Sequence, residues 1–337
     1  MNSQMHVASE QDKSDWKISD LNYEVPAHAQ RFGYMIGGIT VTGFVLLFLT
    51  GIIMAYFYEP SVNAAHQRVL ALSGNSWGLW LRSFHRWVAE AVIFLIVLHL
   101  TRVILTGSYY GRRRANWWYG VILLFITVGF FYTGTVIKWD QEGYEAFQHS
   151  LETMELLPGG AALVSFLKGS LEVMRMFATH VLVLPLLLIL FLTPHLVLVK
   201  LNKLSPLPGR EREGKSTFFA HLRKIGLFSL SIYGFLAFLA AQFPAVVYPG
   251  PYAGVEMTKP PWPFLTLYML EDWIGIKALL IAPLIILIGL IILPYIDKKG
   301  NPNATIHKVV AWSYLAVVAM LIFFIIMVGI TPPVKHI

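Results

Sequence analysis

The sequence contains no cysteine. Disulfides, cysteine-ligated zinc, iron–sulfur clusters and thioether-linked haem are thereby excluded from this chain. Charge is scarce as well. Asp, Glu, Lys and Arg supply 13% of 337 residues, against about 25% in soluble domains. With 56% hydrophobic residues and a mean hydropathy of +0.61, too few charges remain to coat a water-soluble surface. The chain reads as an integral membrane protein, neither disordered nor a binder of nucleic acid. A cleavable leader is not expected. Residues 1–30 are polar, and the apolar run from Phe32 is too long for a leader core.

Six stretches lack Asp, Glu, Lys and Arg for about 20 residues, the length that crosses the hydrocarbon layer. They are Phe32–Tyr58, Ala115–Ile137, Met176–Val199, Ile225–Val255, Ala278–Ile296 and Val309–Val334. A seventh, Gly78–Thr106, is apolar but carries Arg82, His85, Arg86, Glu90, His99 and Arg102. Only helices satisfy their own backbone in lipid when no barrel pattern exists. The expected fold is an all-α integral membrane protein with seven transmembrane helices. Charges inside a span mark function, so the second span draws attention first.

Loop charge predicts orientation. Arg112–Arg114 follow the second span. Lys200, Lys203, Arg210, Arg212, Lys215, Arg223 and Lys224, with Glu211 and Glu213, follow the fourth. Lys298, Lys299 and Lys308 follow the sixth. Alternating spans put all three basic loops on one side. The positive-inside rule makes that side, with the N-terminus, cytoplasmic. A multi-pass protein of a bacterial-type cytoplasmic (inner) membrane is expected. The net charge of +7 then reports topology. The third connection is acidic, with Asp140, Glu142, Glu145, Glu152 and Glu155 against Lys168. It faces the other side, as does the proline-rich stretch 249–274. Long ordered loops of this kind carry function. The expected division is a cytoplasmic N-terminal segment 1–30, a four-helix part 31–205 and a three-helix part 206–337.

Histidines supply the chemistry. His85 and His99 are spaced i, i+14 on the second span, and His180 and His195 are spaced i, i+15 on the fourth. Both intervals are near four turns, so each pair shares one helix face about 21–22 Å apart. The two spans run in the same direction. His85 is therefore level with His180, and His99 with His195. Stacked bis-histidine layers are what two b-type haems require. A lone membrane histidine reads instead as a helix–helix hydrogen bond or a proton relay. Four at matched depth read as metal ligands.

Gly37 and Gly51 on the first span, and Gly120 and Gly134 on the third, repeat the i, i+14 interval. Glycine clears space for a haem wedged between helices; small-residue helix packing is the plainer reading. Arg82, one turn from His85, and Arg102, near His99, are placed to pair anionic propionates in a low-dielectric site. Arg86 is a second candidate beside His85. Interface snorkelling is the bland reading of each.

Arg82-Ser-Phe-His-Arg-Trp87, His99 to Arg102, Trp139-Asp-Gln-Glu-Gly-Tyr144 and the His180/His195 pair resemble the cytochrome b family of quinol-oxidising complexes. The resemblance is closest to the cytochrome b of the photosynthetic bf complex, and residues 215–337 resemble its subunit IV, here fused. It spans about residues 22–335 and is stronger in the first half. Two departures stand out. Met35 occupies the place of the cysteine that attaches an extra haem in bf-type members. A covalent third haem is thus unsupported, and a non-covalent one stays open. The family's Pro-Glu-Trp-Tyr motif appears as Pro260-Pro261-Trp262-Pro263, without its glutamate, while Tyr268 matches a tyrosine that follows the motif.

The resemblance implies a respiratory oxidoreductase subunit. Quinol would be oxidised at the outer side and quinone reduced at the cytoplasmic side, with electrons crossing through two haems. It implies a Rieske iron–sulfur protein and a c-type cytochrome as partners, surrounding membrane lipid, and a homodimeric complex. The altered motif leans towards menaquinol. With the glutamate missing, Asp140, Glu142, Glu271 and Asp272 are the candidate bases, and Trp262 and Tyr268 candidate quinol contacts. Each acid reads equally as a solvated loop residue. At the cytoplasmic side His221, beside Arg223 and Lys224, and Lys200, shortly after His195, are candidates for a quinone or propionate. An alternative keeps both haems in a quinone-reactive anchor without a Rieske partner, and a third is a haem-free transporter.

Overall fold

The structure is a computed structural model that describes residues 22–169, 171–205, 214–298, 301 and 303–332. Residues 1–21 of the N-terminal segment, the loop charges Arg210, Glu211, Arg212, Glu213 and Lys299, and the last residues of the seventh span lie outside the described residues. Twelve α-helices follow in order among the described residues: α1 Phe32–Ala55, α2 Ala65–Ser73, α3 Ser76–Leu105, α4 Arg114–Val136, α5 Gln141–Glu155, α6 Gly160–Leu167, α7 Glu172–Ala178, α8 Leu184–Asn202, α9 Phe218–Gln242, α10 Leu265–Ile274, α11 Lys277–Ile296 and α12 Thr305–Ile330. Seven helical stretches are long and apolar enough to cross a membrane, α7 and α8 counting as one. The fold is a multi-pass helical membrane protein. Its only strands among the described residues form a two-stranded antiparallel ribbon, β1 Glu24–Pro26 against β2 Lys215–Thr217.

Large apolar side chains point outward in numbers no aqueous surface would carry. Leu190 on α8 is 63% exposed and Leu230 on α9 is 73% exposed. Inside, Met35, Ile39, Phe84, Val88, Val92, Leu184, Leu188 and Tyr233 form one core that joins α1, α3, α8 and α9. Tyr233 donates to Ile39 O at 2.8 Å, and Trp80 Nε1 to Ala237 O at 3.0 Å. These bonds fasten α9 to α1 and α3.

Two boundaries differ from the charge-free runs. The fifth span is Phe218–Gln242 rather than Ile225–Val255. Pro244 forces its predecessor Phe243 into extended backbone and ends the helix, while exposed Arg223 and Lys224 ride in its first turns. The seventh span is Thr305–Ile330, stopping just before Pro332. An absence of charge marks an apolar run and says little about where the backbone turns.

The two long loops contain their own helices. α5 opens on Asp140, whose side chain accepts from Gly143 N at 3.0 Å, a standard N-cap. Trp139, Phe147, Leu151, Val164 and Val173 bury one face of the α5–α7 region. Between α7 and α8 the chain makes a π-helical turn, Thr179–Val183, which contains His180. Pro185 has no N–H to give the carbonyl of Val181, and the ladder widens there. The wide turn absorbs one residue. The longer interval from His180 to His195 thus spans nearly the same rotation as the shorter one from His85 to His99.

Candidate haem and quinol site

The four histidines and four glycines meet one to one. A methyl group built on Gly37 would stand 3.3 Å from Cε1 of His99. The matching distances are 3.5 Å from Gly51 to His85, 3.4 Å from Gly120 to His195 and 3.0 Å from Gly134 to His180. Each glycine therefore lets an imidazole from the neighbouring helix approach its backbone. The clearance expected for the macrocycle falls, in this structure, on the rings themselves.

Three imidazoles are oriented through Nδ1. Thr50 Oγ1 lies 2.7 Å from Nδ1 of His85, and Thr133 Oγ1 lies 2.9 Å from Nδ1 of His180. Nδ1 of His195 donates to Asn116 O at 3.1 Å. The Nε2 atoms are left free to ligate a metal, the arrangement in which an outer partner fixes tautomer and ring plane. Nδ1 of His99 is buried without a hydrogen-bond partner. Neither threonine figured among the expected site residues; a hydroxyl one residue from the glycine of its own turn was the available signal.

His85 and His180 line one cavity of about 570 Å³, together with Gly51, Gly134, Arg82, Arg86, Glu142 and Tyr248. That is the size of a cofactor pocket. Burial, and then the carboxylates of Glu142 and Asp140, push the Tyr248 phenol up. His99 lies within electrostatic reach of His195 and Arg102. Nε and Nη2 of Arg102 are buried and unpartnered, while its Cζ sits 3.9 Å from the Tyr34 ring centroid. A buried guanidinium with spare donors is suited to an anion such as a propionate. On ring approach, cavity and orphaned donors, the residues are of a kind that fits haem.

The other expected residues separate. Arg82 turns to the loop after α9, donating to Ser73 Oγ at 2.9 Å and to the carbonyl of Ala245. Arg86 pairs with Glu90 at 2.6 Å and lies over Phe131. Lys200 is exposed, with Nζ 4.9 Å from the Tyr23 ring centroid. His221 keeps an unpartnered buried Nδ1. Asp140, fully buried, caps α5, accepts from Tyr248 N at 3.0 Å and pairs with Lys138 at 3.2 Å. Glu142 pairs with the same lysine and faces the cavity. Glu271 is buried, whereas Asp272 is exposed. Trp262 and Tyr268 pack with Leu265 and Val328, apart from the large cavity. Phe264 between them meets the cavity-lining Phe131 at 6.0 Å.

Sequence reasoning passed over Glu145 and His149. Glu145 is buried and accepts from Gln141 Nε2 and Met257 N, each at 2.7 Å, from Thr258 N at 3.1 Å and from the Thr258 hydroxyl. It pins the proline-rich loop to α5, two elements far apart in sequence. His149 Nε2 stands 3.6 Å from carboxylate oxygens of both Glu256 and Glu271.

Fold and site together define a multi-pass membrane protein built around buried imidazoles at two levels. The chain belongs to the cytochrome b/b6 family: residues 21–203 match the family model described as Cytochrome b/b6/petB. It is 32% identical over 317 residues, 87% of this chain and 74% of that protein, to the cytochrome bc complex cytochrome b subunit of Chlorobaculum thiosulfatiphilum. It is 37% identical over 188 residues, 54% of this chain and 84% of that protein, to cytochrome b6 of Prochlorothrix hollandica. Among solved structures, a chain of a hyperthermophilic respiratory Complex III matches with a TM-score of 0.78 and 20% identity. The match covers 92% of this chain and 87% of that one. It supports the fold alone.

Proposed function

We propose that the chain is the cytochrome b subunit of a bc-type quinol-oxidising complex in a bacterial-type inner membrane. In this reading His85 with His180, and His99 with His195, ligate two b-type haems. The observation that carries it is the one-to-one meeting of four glycines with four imidazoles. Haem, when bound, supplies one-electron carriage between two depths of the membrane.

The chain's own residues bind and orient. Thr50, Thr133 and the carbonyl of Asn116 hold three ring planes. Arg102 neutralises a propionate. The basic loops keep the His99/His195 level on the cytoplasmic side, where His221 faces the quinone that is reduced. At the opposite end the region around Phe131, Phe264 and Tyr248 holds the quinol and excludes water. The four-helix part carries the haems and the three-helix part closes the quinol side. A Rieske protein and a c-type cytochrome complete a homodimeric complex, and menaquinol is the substrate suggested by Pro261 where the family has glutamate.

The test is absorption of the purified complex with a haem count. Two b-type components are expected, with His85→Ala and His99→Ala each removing one. A haem-free protein, or full haem in all four histidine variants, would refute the reading. Co-purification of an iron–sulfur protein separates it from the anchor alternative.

A further inference from the structure

The cavity of His85 and His180 has a polar wall at its outer end. Phe131, Lys138, Glu142 and Tyr248 all line it, and Phe131 and Tyr248 belong to the region proposed above to hold the quinol. Three segments build this wall: the end of α4, the start of α5 and the loop after α9. Lys138 Nζ pairs with Glu142 and, at 3.2 Å, with Asp140. It also lies 5.9 Å from the Tyr248 ring centroid. Tyr248 is held through both of its backbone polar groups. Its N–H donates to Asp140 Oδ2 at 3.0 Å, and its carbonyl accepts from His66 Nε2 at 3.0 Å. The residue is thereby fixed on the cavity wall, within electrostatic reach of the Glu142 carboxylate.

The two carboxylates on Lys138 are not equivalent. Asp140 is fully buried, and its oxygens accept from Gly143 N, Tyr248 N and Lys138. Arg82 also lies within its electrostatic reach. Glu142 is turned to the cavity and has Lys138 as its ion-pair partner. The ammonium and the first turn of α5 both favour a negative charge on Glu142. One ammonium between two carboxylates balances only one of them. A proton on Glu142 therefore leaves Lys138 and Asp140 as a matched pair, and no buried cation is stranded. The other ionisable groups on the cavity wall are Arg68 of α2, Arg82, Arg86 and Glu90 of α3, and Tyr58. Glu90 is paired with Arg86 at 2.6 Å. The Arg68 side chain is 55% exposed, so the cavity meets outer water on that side.

We propose that Glu142 accepts a proton from quinol bound in this cavity, with Lys138 as the positioning residue that aims its carboxylate. The proposal rests on the quinol-oxidising reading above and assigns a base to that same site. The quinol O–H bond breaks, and the proton forms a new O–H bond on a Glu142 oxygen while Lys138 keeps Asp140 as its partner. The quinol's electrons leave to the one-electron acceptors of the proposed reaction, b-type haem iron and an iron–sulfur protein. Glu142 regains its charge by giving the proton to water at the Arg68 side of the cavity.

The experiment uses the intact complex in native membranes, with a menaquinol analogue as donor and rates followed against pH. Glu142→Gln is expected to slow quinol oxidation about tenfold or more, with KM unchanged and haem absorption intact. The acid limb of the pH–rate profile, where a base is silenced by taking up a proton, should disappear in Glu142→Gln. It should persist in Glu142→Asp, which recovers part of the rate. Lys138→Met leaves both carboxylates without their shared cation and favours their protonated forms, so the acid limb should move to higher pH. Glu152→Gln, exposed further along α5, is the control expected to keep wild-type rates. A wild-type rate and profile in Glu142→Gln overturn the proposal. So does a slow Glu142→Gln complex that keeps the wild-type acid limb. If Glu142→Gln fails to assemble, an acid limb unmoved by Lys138→Met overturns it. A wild-type complex that oxidises no quinol refutes the parent reading instead.

Discussion

Replacing Gly134 with alanine tests the glycine–imidazole contacts most sharply. The new Cβ would lie 3.0 Å from Cε1 of His180, against about 3.5–4.0 Å for relaxed carbon contacts. The ring must retreat by about 0.5 Å. It has little freedom to do so, because Thr133 holds Nδ1 at 2.9 Å and Phe130 stands edge-on at 5.6 Å. Metal–ligand bonds tolerate about 0.2 Å, so the displacement breaks ligation rather than adjusting it. The helix itself gains about 1 kcal/mol from alanine, and overpacking costs about 1–3 kcal/mol. The net cost to the fold is about 0–2 kcal/mol, small enough for the protein to accumulate. Haem per polypeptide, measured as the pyridine haemochromogen, is expected to fall from two towards one. Gly51→Ala meets His85 at 3.5 Å, ordinary contact, and keeps both haems. Gly37→Ala is closer, at 3.3 Å, but His99 has no Nδ1 partner to hold it and can shift. Equal haem content and identical spectra in Gly134→Ala and Gly51→Ala would show that the glycines are ordinary packing residues.

Thr133→Val keeps the volume and removes one hydrogen bond to His180. The loss of about 1 kcal/mol should raise the potential of the haem held by His85 and His180 by about 40 mV, read by redox titration; an unmoved potential refutes the orienting role. Arg102→Met removes a charge whose Nε and Nη2 are buried without hydrogen-bond partners, so the haem-free protein should melt later while haem at the His99/His195 level is lost more readily. Glu145→Ala strips the acceptor from the backbone N–H groups of Met257 and Thr258, a Gln141 amide and the Thr258 hydroxyl. A cost of about 1–3 kcal/mol for each buried donor left unpaired should appear as rapid proteolysis between residues 249 and 264, with Glu145→Gln milder.

The spans were legible because lipid forbids what water allows: each apolar run had to be a helix. The histidine and glycine intervals were legible because helical rotation turns equal spacing into a shared face. What escaped was set by distant partners. Arg82 lines the cavity of His85 and His180 and also donates to the carbonyl of Ala245, far along the chain in the loop after α9, a partner no local pattern announces. Asp140 caps α5 with one oxygen, and its other oxygen reaches the loop after α9 through Tyr248 N. His149 carries no signal in the sequence, since the carboxylates near it come from the proline-rich segment and α10. Local pattern carries periodicity, and it is silent on which loop lies over which helix.

The π-helical turn at His180 has a consequence for how this chain tolerates change in length. One residue is stored there as slack. Removing it between residues 181 and 183 would tighten the turn to ordinary α-helix and leave His195 facing its partner. The same deletion a little later, in the regular part of α8, would swing His195 by about 100° and point it into lipid. A sequence with either the shorter or the longer interval between these two histidines can therefore build the same site, with the insertion confined to a single coil.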